Sequence, residues 1–330
     1  MMKSGTAIKS IAIAAAVLVV LLGGAIALGG PKPIAPMASI GDPYSRVDYS
    51  GMPPLKHYQA ADGASLAYRL YEPAGTDAGK GSVVLVHGSS GSSNGMHPMA
   101  QAFAQAGYAV YALDIRGHGG SGDKGRIAYV GQLEDDMAAF VKAVAPRQPS
   151  SLVGFSSGGG YTLRVAGGPR QDLFQSYLLL SPFLGVNAPT SRPASGGWVS
   201  VGIPRIVGIT LMNRIGIHRF DDLPVINFAL SEKARAMLTP HYSYALTVNF
   251  GPHRDYAADI TGVRRPCALI AGADDEVFHA YQFEPLLRAQ GRDWPVTILP
   301  GIAHIPLTLN PAALDKAVEQ VGRLQAKAGA

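Results

Sequence analysis

The sequence predicts an α/β domain built on a mostly parallel central sheet with helices on both faces. Short, uninterrupted apolar runs recur along the chain, and segments of helical character separate most of them. Strands that are apolar on both sides are typical of a parallel sheet, which helices cover on each face. Hydrophobic residues make up 47% of the 330-residue chain and charged residues only 15%, so a sizeable core can form.

The predicted elements follow one another along most of the chain. Residues 57–71 should form two short strands joined at Ala61-Asp62-Gly63, which has the composition of a hairpin turn. Further strands are predicted in the run that leads into Ser156 and at residues 82–86, 108–113, 177–180, 267–271 and 296–299. Helices are predicted at residues 97–106, 133–145 and 311–327. Ligand sites of such sheets lie at the carboxyl ends of the strands, so residues that directly follow a strand are the candidates for chemistry.

The first 30 residues differ from the rest of the chain. Lys3 and Lys9 precede an uncharged run at residues 10–30 that is rich in Ile, Ala, Val and Leu. A run of about 20 apolar residues can span a bilayer, so this segment predicts a single-pass N-terminal membrane anchor. The positive-inside rule then places the rest of the chain outside the cytoplasm. Ala25-Ile26-Ala27 also offers the small-x-small pattern of a signal-peptide cleavage site, and a secreted protein is the alternative.

The remainder of the chain divides by composition into a linker and a large body. Residues 31–55 contain repeated prolines and predict a stiff linker. Residues 56–330 form the predicted domain. Within it, residues 184–262 interrupt the alternation of strands and helices and show no clear strand signal. We expect this stretch to be a helical cap insertion that covers the site.

A candidate nucleophile lies where a predicted strand turns into a helix. Gly154-Phe155-Ser156-Ser157-Gly158 has the G-x-S-x-G pattern of a nucleophile elbow, a sharp turn that presents the serine hydroxyl above the sheet. Glycines suit such a turn because a Cβ would collide where backbone meets backbone. Ser157 opens the helix, so its N–H points towards negative charge near Ser156. The simpler alternative is a Gly/Ser-rich loop.

A serine hydroxyl needs a base to remove its proton, and the base needs an acid to orient it. His304 follows the strand predicted at residues 296–299 and is the candidate base. Three acids, Asp274, Asp275 and Glu276, follow the strand at 267–271. Asp275 is the preferred acid, Asp274 is its rival, and Glu276 ranks third.

The developing oxyanion needs two hydrogen-bond donors. The N–H of Ser157 is one candidate. The second should come from the loop His87-Gly88-Ser89 that follows the strand at residues 82–86, with the N–H of Ser89 as the candidate. His87 is interpreted as ordering this loop.

Taken together, these motifs resemble the α/β-hydrolase superfamily of serine hydrolases, and most closely the group of monoacylglycerol lipases, lysophospholipases and S33 serine aminopeptidases. The resemblance implies the α/β-hydrolase fold, the chain order Ser156, Asp275, His304 for the triad, and an acyl-enzyme mechanism. It is specific for fold and mechanism and unspecific for substrate. The predicted anchor and linker at residues 1–55 are additional to the segments found in this group, and the predicted cap at residues 184–262 matches none of its caps. The motifs that carry the resemblance are at residues 87–89, 114–122, 154–158, 272–275 and 304.

Several other protein classes are excluded by the sequence. Residues 117–122 satisfy G-x-G-x-x-G, but no helix opens there, so a dinucleotide site is not expected, and Arg116 instead suits a structural loop. No cofactor or metal is expected, because P-loop and clustered metal-ligand motifs are missing from the sequence. The net charge is +5 with scattered basic residues, which is not typical of nucleic-acid binding. Cys267 lies in an apolar run and should be a buried thiol.

The sequence therefore predicts a serine hydrolase that acts on carboxylic esters, either small molecules or lipids. An aminopeptidase or amidase is the alternative within enzymes. An acid of the insertion, Asp221, Asp222 or Glu232, could then bind the free amine of the substrate. A non-catalytic binding module is the alternative outside enzymes.

Overall fold

The computed structural model describes residues 3–74 and 79–329. The strands are β1 (Leu55–Gln59), β2 (Ser65–Tyr71), β3 (Ser82–Val86), β4 (Ala109–Leu113), β5 (Ser150–Phe155), β6 (Ser176–Leu180), β7 (Val199–Val201), β8 (Pro224–Phe228), β9 (His241–Ser243), β10 (Cys267–Gly272) and β11 (Val296–Leu299). An eight-stranded sheet has the order β1-β2-β4-β3-β5-β6-β10-β11, and a three-stranded sheet has the order β7-β8-β9. The helices are α1 (Lys3–Leu28), α2 (Ala38–Gly41), α3 (His97–Gln105), α4 (Gln132–Val144), α5 (Ser157–Gly167), α6 (Ile203–Arg214), α7 (Glu232–Met237), α8 (Tyr244–Asn249), α9 (Tyr256–Gly262), α10 (Phe283–Ala289) and α11 (Pro311–Gly329).

The large sheet has the predicted parallel centre. Six neighbouring strands pair in parallel, in the order β4, β3, β5, β6, β10 and β11. Strands β1 and β2 add an antiparallel edge next to β4. Every residue of β3, β4, β5, β6 and β10 is buried, which explains why these strands are continuous apolar runs. Helices α3, α4, α5 and α11 pack against the sheet. The α/β fold class and the hairpin of β1 and β2 are confirmed.

Two structural roles expected from the sequence are also confirmed. The Nε and Nη2 atoms of Arg116 each donate to the carboxylate of Asp136 over 2.7 Å, and Nη1 donates to Asp62 over 2.9 Å. Arg116 therefore ties its own loop to the β1–β2 turn and to α4. Cys267 is a buried, free thiol in β10, and burial raises its pKa.

The insertion between β6 and β10 is not purely helical, contrary to the sequence prediction. Its helices α6–α9 accompany the small antiparallel sheet of β7, β8 and β9. Strand β7 has no buried residue and β8 only two, so neither produces the apolar run or strict alternation that identifies a strand in the sequence.

The structure also differs from the prediction of a membrane anchor at the N-terminus. Over residues 3–74 and 79–329, no helix is both long enough and apolar enough to cross a membrane, so the anchor expected at residues 10–30 is not supported. The end of α1 instead packs on the insertion, where Ile26 is buried with Ile209 of α6, Val225 of β8 and Tyr244 of α8.

Residues 31–55 are packed rather than extended as a spacer. The N–H of Met37 donates to the carbonyl of Ala229 over 2.9 Å, and the Asn227 side chain donates to the carbonyl of Lys32 over 3.2 Å. Tyr44 packs against the main core. The proline-rich stretch therefore lies along the insertion and the body, a set of contacts between distant segments that composition does not reveal.

Arg205 of α6 is the main polar link between α1 and the insertion, and we expect its removal to loosen α1. Its guanidinium donates to the carbonyls of Ile26, Ala27 and Pro224 over 2.7, 2.9 and 2.8 Å. Because lost hydrogen bonds at partly solvated carbonyls cost about 1 kcal/mol each, Arg205→Ala should raise amide hydrogen exchange at residues 26–32 by about tenfold. Mass spectrometry of exchanged peptides measures this effect.

The matched control is Arg214→Ala on the same helix. The Arg214 side chain is exposed and makes no hydrogen bond or ion pair among the described residues. Exchange at residues 26–32 should stay unchanged in this variant. Equal exchange in the two variants would show that the Arg205 hydrogen bonds do not hold α1.

Candidate active site

The candidate nucleophile lies in the tight turn between β5 and α5. Ser156 has φ 56° and ψ −120°, an uncommon conformation for a non-glycine residue. A Cβ on Gly154 would come within 2.1 Å of the Gly158 carbonyl oxygen, and one on Gly158 within 2.3 Å of the His87 carbonyl oxygen. Glycine is therefore required at both positions, and the chain forms the elbow that the G-x-S-x-G pattern predicts.

The structure brings Ser156, His304 and Asp275 together in one hydrogen-bonded row. The Nε2 atom of His304 is 3.0 Å from the Ser156 Oγ, and its Nδ1 atom is 2.8 Å from the Asp275 Oδ2. Asp275 follows β10 and His304 follows β11, so both come from the carboxyl edge of the sheet. Since a carboxylate only accepts, Nδ1 carries the proton and Nε2 is free to accept the serine proton. Asp274 is exposed and takes no part in this row.

The surroundings of Asp275 keep its carboxylate charged. Burial alone raises the pKa of Asp275, but the neighbouring His304 and the N–H of Phe278 outweigh that effect, so the pKa of Asp275 is lowered from its ordinary value. Its Oδ1 accepts the N–H groups of Val277 and Phe278, both over 2.8 Å. These two amides also prevent the carboxylate from rotating away from His304.

Glu276 has a contact that the sequence did not predict. Its Oε2 accepts the backbone N–H of His304 over 3.0 Å. Consecutive carboxylates therefore hold one histidine, Asp275 through the ring and Glu276 through the main chain. The sequence identified Glu276 only as a third candidate for the orienting acid, because no spacing rule indicates which backbone amide a side chain will meet.

Aromatic rings enclose the candidate base. His304 packs against Phe155, Phe278 and Trp198, with ring centroids 4.7, 5.2 and 5.5 Å from its own. Only 1% of His304 is exposed, and 8% of Ser156. Trp198 belongs to the insertion, which therefore covers the site and makes it a largely apolar environment.

The two candidate oxyanion residues are neighbours in space. The Ser89 and Ser157 hydroxyls are hydrogen-bonded to each other. Within residues 3–74 and 79–329, the N–H groups of Ser89 and Ser157 have no acceptor, so both can donate to a ligand. The Nε2 of His87 accepts the N–H of Ile115 over 3.2 Å and its Nδ1 is 2.8 Å from the Gly88 carbonyl, an arrangement that orders this loop as expected.

The remaining motif of the sequence analysis is structural. Asp114 accepts the N–H groups of Ser93 and Gly120 over 2.7 and 2.8 Å, which folds residues 114–122 into a compact loop. Residues 114–131, all of which the structure describes, contain no helix, so the glycine pattern there does not form a dinucleotide motif. Among the described residues, no three His, Cys, Asp or Glu side chains are grouped as ligands for a metal ion.

The parallel sheet with a serine elbow at its carboxyl edge defines the class of the protein as an α/β-hydrolase. A family model described as serine aminopeptidase, S33 matches residues 77–308, and the chain belongs to this family. A monoacylglycerol lipase from Mycolicibacterium smegmatis is 36% identical over 107 residues, which cover 31% of this chain and 38% of that relative. The aligned region thus spans well under two thirds of that lipase.

Solved structures support the same fold. A soluble variant of monoglyceride lipase from Saccharomyces cerevisiae has a TM-score of 0.63 at 18% identity, covering 86% of this chain and 98% of that one. A thermophilic esterase from Thermogutta terrifontis has a TM-score of 0.56 at 17% identity, covering 83% and 99%. At these identities the likeness concerns the fold alone. The family match identifies the chain as a member of the α/β-hydrolases, and the solved structures agree with that fold.

Proposed function

We propose that this protein hydrolyses carboxylic esters through an acyl-enzyme on Ser156. The observation that carries the proposal is the hydrogen-bonded row of Asp275, His304 and Ser156 at the carboxyl edge of the sheet. A base within hydrogen-bond distance of a hydroxyl, itself oriented by a buried carboxylate, is the arrangement that activates a serine nucleophile.

Each proposed residue has a defined step. The Ser156 Oγ attacks the ester carbonyl while the Nε2 of His304 takes its proton, and the same proton then passes to the departing alcohol as the ester C–O bond breaks. Water, deprotonated by the Nε2 of His304, then attacks the acyl-enzyme carbonyl. The bond between the acyl carbon and the Ser156 Oγ breaks, His304 returns the proton to that oxygen, and the carboxylic acid is released. The ionised Asp275 stabilises the transient imidazolium, and the amides of Ser89 and Ser157 stabilise the oxyanion.

The surroundings favour an apolar acyl group. Three aromatic side chains lie around His304, those of Phe155, Phe278 and Trp198. Burial of an alkyl chain against such rings contributes favourable free energy of binding. The names of the relatives, monoacylglycerol lipase and monoglyceride lipase, point to the same class of substrate. We therefore propose lipid-like esters as the substrates.

Two of the three acids suggested for binding a substrate amine lie near other polar groups, whereas Glu232 is exposed at the start of α7. Asp221 accepts the Asn213 side-chain amide over 2.7 Å and lies 3.2 Å from His218. Asp222 lies 3.9 Å from Arg126. Asp221 is buried and already hydrogen-bonded, which counts against it as the site for a substrate amine, while the exposed pair of Asp222 and Arg126 contributes little.

The substrate class can be tested with p-nitrophenyl esters of graded length. Each methylene group that enters an apolar site contributes about 0.8 kcal/mol, so kcat/KM should rise by about two- to fourfold per methylene from acetate to octanoate. Aminoacyl p-nitroanilides serve as the comparison and should be hydrolysed at background rate. Turnover of the anilides with no turnover of any ester would instead establish the aminopeptidase alternative.

A further inference from the structure

We propose that Tyr242 of the insertion is a positioning residue for oxyanion stabilisation. Its hydroxyl accepts the N–H of Ser90 over 2.6 Å, one peptide bond after the Ser89 amide. The loop that contains both serines, residues 87–91, is called the oxyanion loop below. The inference rests on the proposed function and goes beyond it, because it assigns the insertion a part in catalysis as well as in covering the site.

The oxyanion loop has a strained backbone conformation that contacts with neighbouring residues must stabilise. Ser90 has φ 65°, in the left-handed region where a serine is uncommon. Such residues persist where the surrounding structure holds them. Here the insertion supplies that support, because the Ser90 Oγ donates to the Thr239 carbonyl over 2.6 Å and the Thr239 N–H donates to the Ser90 carbonyl over 2.9 Å. With Tyr242 on its N–H, every polar group of Ser90 is bonded to residues 239–242.

His118 fixes the direction of the Tyr242 hydroxyl. The Nδ1 of His118 lies 3.2 Å from the Ile115 carbonyl, an acceptor, so Nδ1 carries the proton and Nε2 has a free lone pair. The Tyr242 hydroxyl, 2.6 Å from that Nε2, donates to it and accepts from Ser90 with its oxygen. Burial and the nearby His87 lower the pKa of His118 well below its ordinary value, so the ring stays neutral and keeps this lone pair.

The hydrogen bonds therefore form one continuous row: Ser90 N–H to Tyr242, Tyr242 O–H to His118, and His118 N–H to Ile115. Tyr242 is 3% exposed, so water does not replace its hydroxyl readily. Loss of the hydroxyl would leave a buried N–H unpaired in a strained loop. The peptide next to the Ser89 amide would then shift, and a misplaced donor stabilises the oxyanion less well than one held in line with it.

The test is the variant Tyr242→Phe, which keeps the ring and removes only the hydroxyl. We expect kcat for p-nitrophenyl butyrate to fall by about 10- to 100-fold, the cost of displacing a reacting group by a fraction of an ångström to one ångström, with KM within about twofold. A boronic acid, which forms a tetrahedral adduct on the serine, should lose affinity by a similar factor. A purely structural role would lower the melting temperature without this matched loss.

Tyr244→Phe is the matched control, because the Tyr244 hydroxyl bonds to the Thr210 Oγ1 over 2.9 Å rather than to the oxyanion loop. This variant should keep kcat within about twofold of the wild type. The inference is overturned if Tyr242→Phe retains wild-type kcat and boronate affinity, or if the two variants lose activity equally. Wild-type activity in Ser156→Ala would overturn the proposed function itself, which separates that failure from a failure of Tyr242 alone.

Discussion

Replacement of Ser156 by alanine is expected to reduce ester hydrolysis to the background rate, a loss of about 10⁶-fold in kcat. The Ser156 Oγ is the atom 3.0 Å from the His304 Nε2, and alanine has no group to acylate. Turnover of p-nitrophenyl butyrate measures the loss, and a fluorophosphonate probe followed by mass spectrometry identifies the modified residue. Probe labelling of the wild type also separates an enzyme from a non-catalytic binding module.

Ser157→Ala is the control for this experiment. It removes the hydroxyl that bonds to Ser89 but retains the backbone N–H proposed for the oxyanion. We expect it to stay within about tenfold of the wild type, since it loses one hydrogen bond at the edge of the site. An inactive Ser157→Ala together with an active Ser156→Ala would move the nucleophile by one residue.

Asp275→Asn is expected to lower kcat by about 10⁴-fold, because an amide in place of the carboxylate leaves the histidine in the wrong tautomer. The hydrogen bonds to the Asp275 carboxylate determine how an asparagine side chain would be oriented at this position. The N–H groups of Val277 and Phe278 both point at the Oδ1 of Asp275, so an asparagine would place its oxygen there. Its NH₂ group would then face the Nδ1 of His304 and force the ring proton to Nε2, where it blocks acceptance from Ser156. Steady-state kinetics on p-nitrophenyl butyrate measure the effect.

Asp274→Asn is the matched control in the same loop. Asp274 is exposed and its backbone N–H, not its side chain, bonds to the Ile302 carbonyl over 3.0 Å. Its replacement should change kcat by no more than about twofold, as is usual for exposed positions. Similar losses in the two variants would remove Asp275 from the role of orienting acid.

The parallel sheet and the order of the candidate site residues could be predicted because both depend on local patterns. A strand buried on two faces must be apolar throughout, and a tight turn into a helix demands glycine at Gly154 and Gly158. Both requirements produce a recognisable pattern within a few adjacent residues of the sequence. Asp275 was preferred over Asp274 because it lies three residues after Gly272, where the acid loop of the fold that the chain resembles usually presents its carboxylate. The structure places only Asp275 against His304. Their catalytic roles remain predictions until the variants are measured.

Other features depend on contacts between distant parts of the chain, and the sequence did not reveal them. The apolar run at residues 10–30 predicted a membrane span, whereas the end of α1 is buried against α6, some 180 residues away. The short strands of the insertion follow from pairing with one another rather than from their own composition.

The sequence by itself therefore determined the fold class, the serine elbow and the family. The fold class and the elbow follow from steric and burial requirements that act on neighbouring residues, and the family follows from the resemblance of the motifs. Only the tertiary structure decided how the N-terminal segment packs, that Glu276 accepts the backbone N–H of His304, and how Tyr242 meets Ser90 and His118. The hydrogen bonds of Tyr242 link residues 152 and 124 positions apart. No periodicity or spacing encodes such pairs, because they exist only after the insertion has folded over the edge of the sheet.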